Sequence, residues 1–549
     1  MAGERSANHF VKGAAILGIA GLLSKVLGAI YRIPYQNITG DVGLYVYMQV
    51  YPLYTALLIL ATAGFPIAIS KIVSERLAVE DHLGARKAFR VASVSLGILG
   101  VFFFLLLYLG APALARFMGD EQLTLPLRAV AWSLPLVPLV SILRGYFQGQ
   151  QDMVPTGVSQ VVEQIIRVIV ILVSAYWMMS AYQDAYLAGT GAVFAAFPGA
   201  LAAFLVLYYY YRKSRRYYRR RGYRKKLRAQ QLTDTVTNKQ VLISILHYAI
   251  PICIGALVLP MIPLIDSVTV SNLLQWNGYE LDIAKELKGI YDRGQPLIQF
   301  GTFFATSLSL ALVPAISEAV AQKQDKMIMN RTEMALRLTL MLGLPASIGL
   351  ALLAEPVNIM VYGNDKGTWS LAIQAFVIVF ATLSIATSGI LQGLGHVKLP
   401  ARHLLIGVLV KLLANLALTP LWGIQGAAVA TVLAYVTSMS LNMRSIRHYL
   451  GLSFNIKEML TKPLISVALM SVMVLLVQGL MNLIVGSLLD SERLAQTIVG
   501  VFAVTVGLVV YMLSLLYTGG MKRDEILYLP KGKRLVSLLE RYKLLQIRK

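Results

Sequence analysis

The sequence predicts an all-α polytopic membrane protein with 14 transmembrane helices, in two parallel six-helix repeats followed by two C-terminal helices. Three observations predict this fold class. Of the 549 residues, 57% are hydrophobic and 14% are charged, whereas a soluble protein carries about 25% charged residues. Apolar runs of about 20 residues, long enough to cross a bilayer, recur along the whole chain. Segments of the first half also reappear in the second half in the same order.

The apolar runs set the predicted organisation. The helices are expected at 10–32, 44–70, 89–110, 126–144, 156–179, 186–211, 241–271, 294–321, 329–353, 370–394, 400–419, 425–443, 463–485 and 495–517. They define an N-lobe (1–211), a basic cytoplasmic loop (212–240), a C-lobe (241–450), helices 13 and 14 (451–517) and a basic cytoplasmic tail (518–549). Because residues 1–12 lead straight into the first helix, no cleavable signal peptide is expected.

The net charge of +23 follows the topology of a membrane protein. Cations concentrate in the even-numbered connections, and the segment YRKSRRYYRRRGYRKKLR (211–228) alone holds 11 Lys or Arg. Positive loops are retained in the cytoplasm, so both termini are expected there, in a bacterial plasma membrane. This distribution argues against a nucleic-acid partner. The basic loop is interpreted either as a topology determinant that contacts anionic lipids or as a specific partner site.

An internal repeat connects the two lobes. GLYVYMQVYPLYTALLILATAGFPIAISKIVSE (43–75) matches GIYDRGQPLIQFGTFFATSLSLALVPAISEAVAQ (289–322), and LRGYFQGQQDMVP (143–155) matches GILQGLGHVKLP (389–400). Each half has an even number of predicted helices, so both insert in the same orientation. Parallel repeats of this kind favour a rocking transporter.

Two cations lie within the apolar sequence of the first predicted helix. Lys25 and Arg32 are seven residues apart, about two helical turns, so both face the same way. A cation at mid-bilayer costs about 2.5–3.5 kcal/mol, which an anion or water in a cavity offsets. The alternative is snorkelling to the headgroups.

A further cation lies at the start of the eighth helix. In YDRGQP (291–296), Arg293 follows Asp292. Arg293 is interpreted as a cavity cation with Asp292 in the cavity wall, or as one half of a local ion pair at a helix start.

A polar stripe follows one face of the fifth helix. It contains Gln160, Glu163, Gln164 and Arg167. Glu163 and Arg167 have the spacing of an intrahelical pair, and the stripe is either a polar cavity wall or a buried stabilising pair. Lys411 and Asn415 occupy a comparable place in helix 11.

Asp266 is a candidate for binding a coupling proton or sodium ion, with Pro260 and Pro263 expected to break helix 7 beside it. The alternative is a polar residue at the outer end of the helix.

The sequence argues against metal binding, disulfide formation and catalysis. His396 and His403 have no carboxylate or cysteine partner for a metal site, and Cys253 is the only cysteine, so no intrachain disulfide forms. The chain has no HExxH, Walker A or GxSxG motif, so we expect neither an enzyme nor a cofactor. Transport would then use proton or sodium coupling or the membrane potential.

Several segments resemble the stage V sporulation protein B group of polysaccharide-type transporters. They are SKVLG with Arg32, GFPIAISKIVSE (64–75), LRGYFQGQQDMVPTGVSQVVEQIIRV (143–168) and YDR (291–293). This group belongs to the multidrug/oligosaccharidyl-lipid/polysaccharide flippase superfamily and is related to the lipid II flippases. The resemblance implies two six-helix lobes around a central cavity and a lipid-linked oligosaccharide as substrate.

The resemblance also implies roles for residues. The family's helix 1 motif makes Lys25 and Arg32 cavity cations, and a Tyr-x-Asp-Arg-like stretch does the same for Arg293. Helices 13 and 14 resemble those proposed to hold the isoprenoid tail in a groove. The family's helix 2 arginine is absent after Pro52, and its acidic residue is displaced to Asp41.

We therefore expect a flippase that moves an undecaprenyl-pyrophosphate-linked oligosaccharide, lipid II or a related cell-wall or spore-cortex precursor, from the inner to the outer leaflet. Candidate partners are anionic lipids and cell-wall synthesis proteins. The alternatives are a multidrug cation antiporter, which should have acidic residues in its cavity, and a non-transporting scaffold for envelope assembly. A membrane glycosyltransferase lacks support, because no acidic catalytic pair is present.

Overall fold

The protein is helical throughout its described length. The computed structural model describes residues 2–220, 237–451, 456–486, 488–521 and 536, and the regular elements in these ranges are α-helices and one 3₁₀ turn, Glu121–Leu123. The chain divides into two compact units, Met1–Gly289 and Ile290–Lys549. Within the described ranges, 10 helical segments are long and apolar enough to cross a membrane. Two of them, Ile16–Ala78 and Lys398–Leu450, each contain parts of two predicted helices, so the count of 14 and the repeat layout stay predictions.

The first unit is built from the helices before Gly289. They are α1 (Ala2–Ile30), α2 (Arg32–Thr62), α3 (Phe65–Ala78), α4 (His82–Phe117), α5 (Thr124–Ala131), α6 (Val137–Gly149), α7 (Val154–Tyr182), α8 (Ala185–Phe194), α9 (Ala196–Arg220), α10 (Asn238–Trp276) and α11 (Leu281–Asp292), which crosses the boundary.

Close helix contacts position the polar residues of this unit. Helix α1 packs along α7, α2 packs on α8 and α10, and α3 packs on α6. At Gly64, just before α3, an added Cβ would lie 2.2 Å from the carbonyl oxygen of Ala249 in α10. Because that neighbour is backbone, only glycine allows α3 to start so close to α10.

The second unit contains the remaining helices. They are α12 (Gly294–Ala321), α13 (Asp325–Leu352), α14 (Ala354–Tyr362), α15 (Thr368–Gly393), α16 (Lys398–Leu450), α17 (Ile456–Gly486) and α18 (Glu492–Tyr517). Helix α15 is central, since it packs against α12, α13 and α16. Helices α17 and α18 pack on each other, and they contact α13 and α14 respectively.

Two predicted helices are wrong in extent, because each is two helices in the structure. The segment 44–70 divides between α2 and α3, and 126–144 divides between α5 and α6. At both junctions a proline occupies the first turn of the following helix, Pro66 in α3 and Pro138 in α6. Proline suits that position, because the amide hydrogen it lacks has no helical partner there.

The predicted break of helix 7 at Pro260 and Pro263 is also wrong. Helix α10 runs unbroken from Asn238 to Trp276 with both prolines inside it, because a proline can bend a helix without ending it. The interruptions inside long helices fall on glycines instead, Gly40 in α2 (φ 69°, ψ −171°) and Gly423 in α16 (φ 56°, ψ −136°). Such a positive φ is readily adopted only by glycine.

The boundary between the two compact units lies at Gly289, whereas the predicted C-lobe begins at residue 241. Helix α10, predicted as the first helix of the C-lobe, packs on α2, α3 and α4 in the first unit. The core of the basic loop, 221–236, and most of the tail, 522–535 and 537–549, lie outside the described residues. The predicted lobe, loop and tail boundaries therefore stay predictions.

Candidate functional site

Arg32 begins α2 and is buried, with 8% of its surface exposed. Its guanidinium carbon lies 5.5 Å from the ring centroid of Tyr51, a cation–π contact. Among the described residues, its Nε has no hydrogen-bond partner. Arg32 is thus a buried cation that retains an unused donor.

Aromatic rings continue from Arg32 along one side of α2. Tyr47, Tyr51 and Tyr54, here called the tyrosine face, are spaced so that they share a side of the helix. The ring centroids of Tyr47 and Tyr51 are 5.3 Å apart and stacked, and those of Tyr51 and Tyr54 are 6.4 Å apart. The tyrosine face lines a cavity of about 10 Å³ together with Arg167 of α7, room for about one water molecule.

Arg167 belongs to a charged cluster that joins α6 to α7. The two carboxylate oxygens of Glu163 each accept a hydrogen bond of 2.8 Å, Oε1 from Arg167 and Oε2 from Arg144. Arg144 also donates from Nε to Ser159 Oγ at 3.0 Å. The predicted Glu163–Arg167 pair is therefore present, within a three-residue cluster of formal charge +1. We call Arg144, Glu163 and Arg167 the arginine–glutamate cluster.

Arg144 is a site residue that the sequence motifs do not single out, since it is the last residue of the predicted helix 126–144. It lies inside α6, one turn before the helix ends at Gly149. Its pairing with Glu163 spans 19 residues of sequence, so no local spacing rule finds it. The available signal is a single arginine within an apolar helix. The sequence also contains a signal for the tyrosine face, because YMQVYPLY (47–54) has tyrosines at helical spacing.

The other polar residues of the stripe face α1. An added Cβ on Gly28 would lie 3.4 Å from Gln164 Nε2, and Ser24 Oγ donates to the Gln160 carbonyl oxygen at 3.4 Å. Gln160 Oε1 is buried without a hydrogen-bond partner among the described residues. Lys25, by contrast, has an exposed side chain, so the structure separates it from the buried Arg32.

Asp266 is buried in α10, with 1% of its surface exposed. The next residue, Ser267, donates to the Met48 carbonyl oxygen of α2 at 3.2 Å. Asp266 therefore lies in a part of α10 that packs closely on α2.

In the second unit, Arg293 binds the loop that follows α14. Its Nη1 donates to Asn364 Oδ1 at 2.7 Å and to the Lys366 carbonyl oxygen at 3.2 Å. Its own carbonyl oxygen accepts a 2.6 Å hydrogen bond from the Tyr362 hydroxyl. Arg293 and Asp292 are both buried, at 1% and 2% exposed. These contacts make Arg293 an anchor for the 363–367 loop.

Lys411 and Asn415 are fully buried on α16. Lys411 Nζ donates to Thr431 Oγ1 at 3.0 Å, and Thr431 Oγ1 is 2.9 Å from the Tyr291 hydroxyl. Lys411 thus takes part in a hydrogen-bond network that connects the two halves of α16 to Tyr291.

The second unit also contains an apolar cavity of about 590 Å³. Its walls come mainly from α13, α17 and α18, and include Leu338, Met341, Leu342, Pro345, Ala346, Gly349, Met470, Val474, Val504, Gly507, Leu508 and Tyr511. The Tyr511 hydroxyl is itself satisfied, since it donates to the Met341 carbonyl oxygen at 2.8 Å. The cavity therefore suits hydrocarbon rather than a polar ligand.

The two histidines considered as ligands have other contacts. His403 Nδ1 lies 2.8 Å from Asn442 Oδ1, and the His396 ring stacks on Tyr449 at 3.8 Å. Within the described residues, no group of three or more His, Cys, Asp or Glu side chains could hold a metal ion.

Two protein families match the sequence. The family described as "Polysaccharide biosynthesis protein" matches residues 10–320, and the family "Lipid II flippase MurJ" matches residues 297–493.

Three relatives from Bacillus subtilis (strain 168) cover nearly the whole chain. The uncharacterized membrane protein YabM is 35% identical over 97% of both chains. The lipid II flippase MurJ is 29% identical over 92% of this chain and 94% of its own. Stage V sporulation protein B is 29% identical over 96% of this chain and 99% of its own.

Solved structures share the fold. The lipid II flippase MurJ in an inward closed conformation superposes with a TM-score of 0.65 and 15% identity, covering 91% of this chain and 98% of that one. An inward-facing multidrug resistance MATE transporter of the MOP superfamily gives a TM-score of 0.61 and 14% identity, covering 78% and 94%. The resemblance inferred from the sequence motifs is confirmed: the chain belongs to the polysaccharide biosynthesis protein family, as a relative of stage V sporulation protein B and the lipid II flippases.

Proposed function

We propose that this protein is a flippase for an undecaprenyl-pyrophosphate-linked oligosaccharide, lipid II or a related cell-wall or spore-cortex precursor. It moves this lipid from the inner to the outer leaflet by alternating access through a cationic cavity. The relatives with an assigned transport activity are flippases and not enzymes. Both termini are cytoplasmic in this proposal, and the membrane is the bacterial plasma membrane.

The observation that carries the proposal is the buried, incompletely hydrogen-bonded Arg32 close to the tyrosine face. Arg32 and the arginine–glutamate cluster together have a formal charge of +2. A pyrophosphate that links a lipid to a sugar carries about two negative charges, and forked guanidinium donors suit phosphate oxygens. The tyrosine rings offer apolar faces beside those donors.

The apolar cavity of the second unit supports the same substrate. A lipid-linked sugar has a long hydrocarbon chain that must stay out of water while its headgroup crosses. The cavity between α13, α17 and α18 has about 590 Å³ of apolar space for part of that chain. A multidrug cation antiporter needs no such pairing of buried arginines with a hydrocarbon site.

The driving force in this proposal favours export. Each negative charge gains about 2.3 kcal/mol per 100 mV on leaving a negative interior. The membrane potential therefore acts on the headgroup directly, and no cofactor is needed. Asp266 remains the candidate for coupling to a proton or sodium ion.

The test is leaflet transfer of fluorescent lipid II in proteoliposomes, measured by quenching with a membrane-impermeant reductant. We expect transfer by the wild type and about tenfold slower transfer by Arg32→Gln, since a charged hydrogen bond is lost. Arg116→Gln is the matched control, because Arg116 is an exposed arginine of the same unit; it should transfer as the wild type does.

A cellular test distinguishes the alternatives. We would deplete the lipid II flippase of a rod-shaped bacterium and express this chain at matched membrane levels. Rescue by the wild type but not by Arg32→Gln supports lipid II transport. If the well-inserted wild type neither rescues nor transfers any undecaprenyl-pyrophosphate lipid, the scaffold alternative holds. Proton-driven export of an organic cation would instead identify an antiporter.

A further inference from the structure

We propose that Arg144 and Arg167 form a pyrophosphate subsite and that Glu163 occupies it when substrate is absent, as an internal anion that the pyrophosphate displaces. The inference rests on the proposed function, because it names the part of the transport path that holds the headgroup phosphates. Arg144 is a new member of that path.

The geometry of Glu163 is that of a bridging anion. Its two oxygens bind two guanidinium groups from different helices at 2.8 Å each, Arg144 on α6 and Arg167 on α7. A pyrophosphate group likewise offers anionic oxygens to two partners, on two linked phosphorus atoms, but it is larger than a carboxylate. Displacement therefore requires the Glu163 side chain to leave its bridging position and the cavity of about 10 Å³ beside Arg167 to widen.

The arginines are not saturated by one carboxylate. Each guanidinium has five N–H donors, and Arg167 Nε is buried without a hydrogen-bond partner among the described residues. The Tyr54 hydroxyl is likewise buried without one there, and both residues line the same small cavity. An anion with more acceptor oxygens than a carboxylate would satisfy these donors.

The cluster is also accessible and unbalanced in charge. The side chains of Arg144, Glu163 and Arg167 are 17%, 19% and 14% exposed, so the cluster is not sealed in the core. Two cations share one anion inside helices, and an excess positive charge is costly there. A purely stabilising pair would need only one arginine, whereas a site that exchanges anions needs this surplus.

Glu163→Gln removes the competing charge and keeps the side-chain shape, so both arginines become available to the pyrophosphate. We expect undecaprenyl pyrophosphate to bind about tenfold more tightly to this variant, the size of one charged hydrogen bond. Arg167→Gln should weaken binding by a similar factor.

The experiment measures the dissociation constant with the full-length protein in nanodiscs, using undecaprenyl pyrophosphate, inorganic pyrophosphate and undecaprenol as probes. Glu318→Gln is the matched control, because Glu318 also pairs with an arginine, Arg331, at 3.5 Å but is 61% exposed. Tighter binding of both pyrophosphates to Glu163→Gln, with undecaprenol unchanged and Glu318→Gln like the wild type, is the expected result.

Other results overturn the proposal. Unchanged or weaker binding of undecaprenyl pyrophosphate to a Glu163→Gln protein with normal thermal unfolding leaves Glu163 as a structural ion pair. Tightening for inorganic pyrophosphate alone assigns the site to a free anion and not to the lipid headgroup. If Glu163→Gln does not fold, Glu163→Asp replaces it; the shorter carboxylate reaches only one arginine, and binding tighter than wild type is again required.

The two proposals fail separately. If leaflet transfer is absent but Glu163→Gln still tightens pyrophosphate binding, the anion site stands and the flippase proposal falls. If the wild type transfers lipid II and Glu163→Gln binds it as the wild type does, only the displacement by pyrophosphate is disproved.

Discussion

Arg32 in the first unit and Arg293 in the second are both buried arginines near tyrosines, yet their surroundings differ. Arg293 donates to Asn364 and to the Lys366 carbonyl oxygen, and Tyr362 holds its backbone. Arg32 lies over the Tyr51 ring and keeps a donor without a partner among the described residues. The comparison indicates that a buried cation in a transporter can either hold the fold or await a ligand, and that its hydrogen bonds distinguish the two.

The two units also differ in the part of a lipid-linked substrate that their residues suit. In the first unit, Arg32 and the arginine–glutamate cluster place three guanidinium groups and one carboxylate in buried or partly buried positions. In the second unit, the cavity between α13, α17 and α18 is apolar and the Tyr511 hydroxyl that lines it is satisfied. We therefore assign headgroup binding to the first unit and tail binding to the second, as part of the proposed function.

The largest effect on stability is expected for Arg293→Gln. It removes charged hydrogen bonds to the 363–367 loop, so the free energy of unfolding should fall by about 2–3 kcal/mol. Arg32→Gln should change it by less than about 1 kcal/mol. Thermal unfolding of the purified full-length protein, followed by intrinsic fluorescence, compares the two. Equal losses of stability would remove the distinction between anchor and ligand-binding arginine.

A smaller effect, on transport alone, is expected from filling the apolar cavity. An added Cβ on Gly349 meets only Met470 Cε, at 4.0 Å, so Gly349→Leu places a side chain in the cavity with little strain. Transfer of a full-length undecaprenyl lipid should slow about fivefold, through loss of buried hydrocarbon contact. A short-chain analogue should be unaffected.

Gly110→Leu is the control for that change, because an added Cβ on Gly110 meets nothing within 4 Å and Gly110 lies in α4, away from the cavity. Slowing of both lipids alike by Gly349→Leu would show that the cavity does not hold the tail.

The smallest effect is expected from removing single hydroxyl groups. Tyr362→Phe loses the 2.6 Å hydrogen bond to the Arg293 carbonyl oxygen. The free energy of unfolding should therefore fall by about 1 kcal/mol. Tyr51→Phe keeps the ring that Arg32 contacts and should alter stability by less than about 0.5 kcal/mol. Denaturant titration of both variants measures the difference. A larger loss for Tyr51→Phe would contradict the assignment.

The sequence predicts the features that depend on local pattern. The helical class follows from apolar runs, and the Glu163–Arg167 pair follows from spacing on one helix. The family follows from short contiguous motifs such as SKVLG and YDR. These predictions succeed because residues close together along the chain determine them.

The features that sequence reasoning misses depend on contacts between distant segments. Arg144 reaches Glu163 only because α6 and α7 lie side by side, and Arg293 meets Asn364 across 71 residues. Pro260 and Pro263 are expected to break a helix that the structure keeps whole, whereas the close approach of Gly64 to Ala249 joins segments 185 residues apart. Lys25 and Arg32 look equivalent in sequence, but only one is buried.

The most direct test of the central claim is the rate of lipid II transfer between leaflets by the wild type and by Arg32→Gln and Arg293→Gln, each normalised to the folded fraction. The account predicts that Arg32→Gln is about tenfold slower per folded molecule, while Arg293→Gln recovers most of the wild-type rate once its lower stability is taken into account. Normal transfer by folded Arg32→Gln would contradict it.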